Sequence, residues 1–350
     1  MAMAAAAALT VPARTLAWSM AFAACGTLVA CLTLVRADEL VSATEEVRIT
    51  TIVDDVPGAG ALTVSPNGQT VYCLDEVRRA VFAFDPFAPG RRRDVVAAAA
   101  EGQPVPVAIG CLPGDLLAIV GRSGDDWTLQ TFRIRPGEVA DPAAPLQSIR
   151  LGTAATASPV VKLVVSHMRD WLAVVGLPEP LAPVLRIVFA GVGMRPLAND
   201  SWPGVAADRR PAATAVSPAD ELVLLEQPRD AVTAATVAFH GVTGVELLRL
   251  DTGLPQVRDA AFGRGDGALW VLAGDAASAS RPEGLWRLHA VMRDGQQAVN
   301  PAHVARLIAP RSIAAVSERS VVVTLAGSIV RIDPVAGRGR TRTNEKQDTP

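Results

Sequence analysis

After residue 46 the chain repeats itself about every fifty residues, and that period constrains its fold more than any other feature. The clearest copy runs from Ala61 to Leu74, through Ser65-Pro66-Asn67-Gly68 and Val71-Tyr72-Cys73-Leu74, and closes at Ala80 to Pro86. It reads as strand, tight turn, strand, short loop, strand. Proline presets φ and Asn-Gly tolerates positive φ, so the turn is chemically specified. Further copies begin at Val107, Val161, Ala213, Asp259 and Ile313, and Ser65, Leu112, Ser166, Ser217, Gly263 and Ser317 align at matching points. A closed array of short strands is the architecture that such a period predicts. The β-branched content and turn residues at short intervals exclude a helical solenoid.

The Ser-Pro-Asn-Gly turn, with Val-Tyr-Cys-Leu after it and a closing Phe84-Asp85-Pro86, resembles the YVTN/NHL-like β-propeller superfamily. The resemblance covers about residues 47–336 and implies a fold, not a particular activity. The expected fold is all-β: a six-bladed β-propeller closed by an N-terminal strand and preceded by one apolar N-terminal helix. The closing strand is Val47–Val53. The sixth unit stops after its third strand, and Val47–Val53 placed on its outer edge covers an otherwise open sheet margin. A tail over 337–350, rich in Gly, Arg and Thr, is expected to be disordered.

The chain ahead of the repeats has a different character. From Thr15 to Val35 no residue is charged, with Arg14 before the run and Arg36, Asp38 and Glu39 after it. Residues 1–37 therefore read as a signal peptide or membrane anchor, and 38–46 as a linker. The 21-residue run is long enough to span a bilayer as a helix. Leu28-Val29-Ala30-Cys31 is also a lipobox-like sequence, which makes Cys31 a lipidation candidate. Val35-Arg36-Ala37 offers a third fate, cleavage. All three put the propeller outside the cytoplasm, membrane-anchored or secreted, in the periplasm or at the cell surface if the source is bacterial. Cys73 and Cys111 fall on strands of neighbouring repeats and read as buried free thiols, because facing blades make disulfide geometry demanding.

Charge excludes a nucleic-acid partner: 33 basic and 35 acidic residues are interspersed, with no basic face. Arginine supplies nearly all the positive charge, the lysines being Lys162 and Lys346. The short run Arg91-Arg92-Arg93 reads as a solvated turn, with an anionic membrane as its alternative contact. His167, His240, His289 and His303 show no metal-ligand spacing, and no hydrolase or phosphate-loop motif is present. Trp127, Trp171, Trp270 and Trp286 read as packing residues, and Trp202 as a loop residue.

One pattern bears on chemistry. The loop after the second strand carries acid in five of the six units: Asp75 and Glu76, Asp125 and Asp126, Glu179, Glu226, and Asp275. Such loops share one propeller face, where converging carboxylates would suit Ca²⁺ or another divalent cation. The competing reading is that these acids cap their own turns and are solvated. The main functional expectation is a monomeric, non-enzymatic binding or scaffold propeller for a protein or glycan, membrane-associated through residues 15–35 and needing no cofactor. The alternative is a metal-dependent hydrolase or lactonase, with the cation held by those carboxylates at the channel mouth.

Overall fold

The computed structural model describes residues 47–334, apart from 156–160, 169, 191–192, 202–204, 206–207, 230–233, 265–266 and 294–295. The apolar run, Cys31, the linker, Trp202 and the C-terminal tail lie outside the described residues. Twenty-four strands form six four-stranded antiparallel sheets, and no helix occurs among the described residues.

Strand β1 (Val47–Val56) comes first, and blade 1 follows as β2 (Ala59–Val64), β3 (Val71–Asp75), β4 (Ala80–Phe84) and β5 (Arg92–Val96). Blade 2 is β6 (Val105–Leu112), β7 (Leu116–Ser123), β8 (Asp126–Arg133) and β9 (Gln147–Thr153). Blade 3 is β10 (Lys162–Val165), β11 (Trp171–Val175), β12 (Val184–Ala190) and β13 (Gly193–Ser201). Blade 4 is β14 (Arg209–Val216), β15 (Leu222–Pro228), β16 (Thr236–His240) and β17 (Glu246–Asp251). Blade 5 is β18 (Asp259–Phe262), β19 (Leu269–Ala273), β20 (Gly284–Arg293) and β21 (Gln296–Arg306). Blade 6 is β22 (Ser312–Ala315), β23 (Val321–Thr324) and β24 (Gly327–Pro334), with β1 hydrogen-bonded antiparallel to β24 from Val47↔Pro334 to Val56↔Gly327.

The first strands of successive blades touch one another around a ring, β2 to β6 to β10 to β14 to β18 to β22 and back to β2. They line a central channel. The upper face of the ring is where these inner strands begin, and the lower face is where they end in their turns.

The hydrophobic core is six wedges rather than one mass. Each lies between two adjacent blades: Phe82 with Val322 and Ile329 between blades 1 and 6, for example, or Trp171 with Leu222 and Leu224 between blades 3 and 4. A second strand therefore has a neighbouring blade on both faces. Every residue of β3, β11, β19 and β23 is buried, so these strands are continuous apolar runs instead of alternating ones. Cys73 faces the blade 6–1 wedge and Cys111 the blade 1–2 wedge, and both are free thiols. Trp127, Trp171, Trp270 and Trp286 fill the wedges as expected.

The recurrent serine has a local task. At the end of an inner strand its hydroxyl accepts from a main-chain N–H across the turn: Thr70 N to Ser65 Oγ at 2.9 Å, Asp170 N to Ser166 Oγ at 3.1 Å, and Glu221 N to Ser217 Oγ at 3.2 Å. In blade 1 Asn67 adds a bond from Ser65 Oγ at 2.7 Å, and Gly68 supplies φ +76°.

Candidate functional site

One inner-strand position, on the side facing the following blade, is filled by Ala61, Ala108, Lys162, Ala213, Asp259 and Ser312 in the six blades. Half of these are polar, and the structure joins them across the upper part of the channel. Lys162 Nζ of blade 3 reaches Asp259 Oδ1 of blade 5 at 3.1 Å, past the small Ala213 of the blade between. The other carboxylate oxygen of Asp259 accepts from Ser312 Oγ at 2.6 Å and from the Ile313 main-chain N–H at 2.9 Å, both in blade 6. Ser312 Oγ accepts in turn from Leu62 N of blade 1 at 3.2 Å. Four blades thus meet in one polar network.

Asp259 is buried and the Lys162 side chain is only 17% exposed. The channel cavity around them, about 220 Å³, mixes apolar residues such as Leu62, Leu163 and Ile313 with the polar Thr63, Thr214 and His167. With three donors on its oxygens, Asp259 has most of its accepting capacity occupied. Lys162 does not. An ammonium group carries three N–H bonds, and among the described residues Asp259 takes one of them. The remaining donors suit a ligand's carbonyl or carboxylate oxygen.

The lower end of the channel is built differently. Arg264 of blade 5 donates to the main-chain carbonyls of Ser65 and Pro66 in blade 1, at 2.7 and 2.9 Å. His167 Nε2 lies 3.2 Å from the Val216 carbonyl, and the His167 main-chain N–H donates to Asp220 at 2.6 Å. Its polar groups are spent on backbone.

The acidic loops lie on the upper face, as their place after the second strands requires, but each carboxylate is engaged locally. Asp75 accepts from the Arg78 N–H at 2.9 Å, and Asp275 from the Ala277 N–H at 2.9 Å. Glu76 faces Arg311 at 3.9 Å, Asp125 faces Arg122 at 3.5 Å, and Glu179 faces Arg229 at 3.5 Å. Asp126 pairs with Arg150 at 2.5 Å. Glu226 is buried against Arg249 at 2.5 Å, and the same guanidinium holds the Glu246 carboxyl below its ordinary range. Among the described residues no three His, Cys, Asp or Glu side chains form a group that could hold a metal ion. These carboxylates fit capping and ion pairing better than a cation site.

Of the histidines, His240 is buried with no hydrogen-bond partner for either ring nitrogen among the described residues. Burial pushes its pKa below the ordinary 6.5, as it does for His303, which stacks edge-on against Trp286 at 4.8 Å.

No family model matches the chain, and no curated protein matches it. Solved structures do. The PQQ-bound aldose sugar dehydrogenase of Streptomyces coelicolor is similar at 12% identity and a TM-score of 0.57, over 83% of this chain and 99% of that one. A gluconolactonase of Xanthomonas campestris is similar at 16% identity and a TM-score of 0.53, over 85% and 93%. A streptogramin B lyase is similar at 11% identity and a TM-score of 0.50, over 83% and 99%. The chain has a six-bladed propeller fold. That agrees with its YVTN/NHL-like phrase, and at such identities the likeness concerns the fold alone.

Proposed function

We propose that this propeller acts on a small molecule at the upper mouth of its central channel, in the manner of a lactonase, and that Lys162 receives the ligand's carbonyl or carboxylate oxygen. The observation that carries this reading is the Lys162–Asp259 pair. An ion pair withdrawn from water contributes little net stability and is often matched by apolar residues of the same volume. A largely buried pair drawn from non-adjacent blades and facing the channel cavity is therefore better accounted for by a ligand than by stability.

In lactone hydrolysis a water oxygen bonds to the acyl carbon, the ring C–O bond breaks, and a proton ends on the released hydroxyl. Lys162 would stabilise the negative charge that develops on the carbonyl oxygen. Asp259 is a positioning residue that holds the ammonium group in place, and Ser312 orients Asp259. Among the described residues no group of His, Cys, Asp or Glu side chains fits a metal ion. The gluconolactonase and the lyase that share this architecture support a small-molecule reaction over a scaffold role.

The test is a panel of aliphatic and sugar lactones, with the matching hydroxy acids, measured by turnover and by thermal shift. A ligand at a hundredfold its Kd should stabilise the protein by about 2.7 kcal/mol. Turnover or stabilisation that Lys162→Met abolishes is the expected result. Stabilisation without turnover would reduce the site to a binding function. No response to any lactone or hydroxy acid, or an unchanged response in Lys162→Met, would overturn the proposal and return attention to a protein or glycan partner.

A further inference from the structure

The lower face differs from the upper in what it leaves exposed. Phe87, Met168, Val242, Val245 and Met292 all lie on or beside lower-face turns, in blades 1, 3, 4 and 5, and are between 37% and 76% exposed. Val77 and Ile308 are the exposed large apolar residues on upper loops among the described residues. Single exposed apolar side chains are ordinary. Their concentration on one end of a closed ring is not, because these turns are the tips that solvent would otherwise select as polar.

Two more features share that face. Arg91, Arg92 and Arg93 are exposed there beside Phe87, along an open groove, and neither Arg91 nor Arg93 has an ion-pair partner among the described residues. Asp85, in the same groove, caps the Phe87 N–H at 2.7 Å, and Asp94, next after the run, pairs with Arg78 at 2.8 Å. The first strand also enters here. Val47, the first of the described residues, pairs with Pro334 at the lower end of β24. In the sequence the uncharged run Thr15–Val35 ends twelve residues before Val47.

We infer that the lower face rests on an anionic lipid bilayer. Its apolar tips enter the headgroup boundary and Arg91–Arg93 meet lipid phosphates, so that the Lys162–Asp259 mouth opens away from the membrane. Shallow apolar insertion combined with basic side chains is the two-part signal that stable surface docking needs. This inference stands independently of the lactonase reading.

Hydrogen–deuterium exchange on the full chain tests it, comparing vesicles of phosphatidylcholine with and without phosphatidylglycerol. Exchange in the turns around 85–91, 166–170 and 241–245 should slow about tenfold in the anionic vesicles, while 75–79 and 307–311 stay unchanged. The tenfold figure corresponds to a few charge and apolar contacts at an anionic surface. Arg91→Glu/Arg93→Glu should remove the effect. These are exposed positions, so the variant's exchange without lipid should match the parent's. The inference is overturned if the lower turns exchange at the same rate with and without anionic lipid, or if both faces slow equally. It is also overturned if the charge-reversed variant keeps the full effect, or if slowing appears without vesicles as protein concentration rises, which would mark a contact between copies.

Discussion

The two ends of the central channel use charge in opposite ways. At the lower end Arg264 is tied to the main-chain carbonyls of Ser65 and Pro66, which cannot move without unpicking a turn. At the upper end Lys162 is tied to one carboxylate, and its other donors look into the cavity. A charge bonded to backbone is a fastener. A charge bonded to one side chain, on the wall of a cavity, can exchange part of its bonding for a ligand. The difference separates a structural cation from a functional one without reference to any relative.

The sharpest way to break that contrast is Asp259→Leu. Lys162 would be left uncompensated, and Ser312 Oγ and the Ile313 N–H would lose their acceptor. Breaking a buried pair from one side costs about 3 kcal/mol, at the low end because Lys162 keeps some contact with water. Chemical denaturation reads this directly, and a loss under 1 kcal/mol would show that the network is not desolvated as described. Arg264→Ala should come next. Two charge-assisted bonds disappear at a partly exposed site, for about 2 kcal/mol, with ligand response unchanged. A changed ligand response would dissolve the distinction between the ends.

A smaller effect concerns pH, away from the channel. Because burial lowers the pKa of His240, the unfolded chain binds a proton at a higher pH than the folded one. Stability is therefore complete above the unfolded value near 6.5 and is lost as pH falls through the folded pKa. Denaturation midpoints between pH 8 and pH 5 should show the decline, and His240→Leu should flatten it. The smallest expected effect is on the acidic loops. Glu179→Gln removes an exposed pair with Arg229 and should change stability by less than about 0.5 kcal/mol. Ca²⁺ or EDTA should leave the melting temperature where it was, whereas a clear Ca²⁺-induced rise would revive the carboxylate site.

The repeat was legible because its punctuation is chemical: Ser-Pro-Asn-Gly states a turn, and the serine hydroxyl closes it. Val71-Tyr72-Cys73-Leu74 was legible too, though as a continuous run between two blades rather than as an alternating strand. The outer strands β5, β9 and β17 were harder. Arg92-Arg93-Asp94 and Glu246-Leu247-Leu248-Arg249 carry exposed or half-exposed positions and lack the apolar signal of the inner strands.

The channel network escaped for a different reason. Lys162, Asp259 and Ser312 are far apart in sequence, and only correct registration of the repeats stacks them. Aligning blade 6 on Ser317 shifts it by one residue, because the position equivalent to Ser65 is Val316, whose N–H bonds to the Ser320 carbonyl at 3.0 Å. A shift of one moves every side chain to the other face and hides Ser312 behind Ile313. A usable signal was there in Lys162, a lone lysine in a propeller that otherwise carries its positive charge on arginine. The acids recur on one face, but turn capping and ion pairs with arginine engage them.

The most direct measurement compares the parent with Lys162→Met/Asp259→Asn, recording stability and ligand-induced thermal shift together. If the pair exists for a ligand, replacing both charges should change stability by no more than about 1 kcal/mol while abolishing the shift given by lactones or hydroxy acids. A double variant that loses several kcal/mol and still responds to ligand would contradict this, and would make the pair a fastener like Arg264.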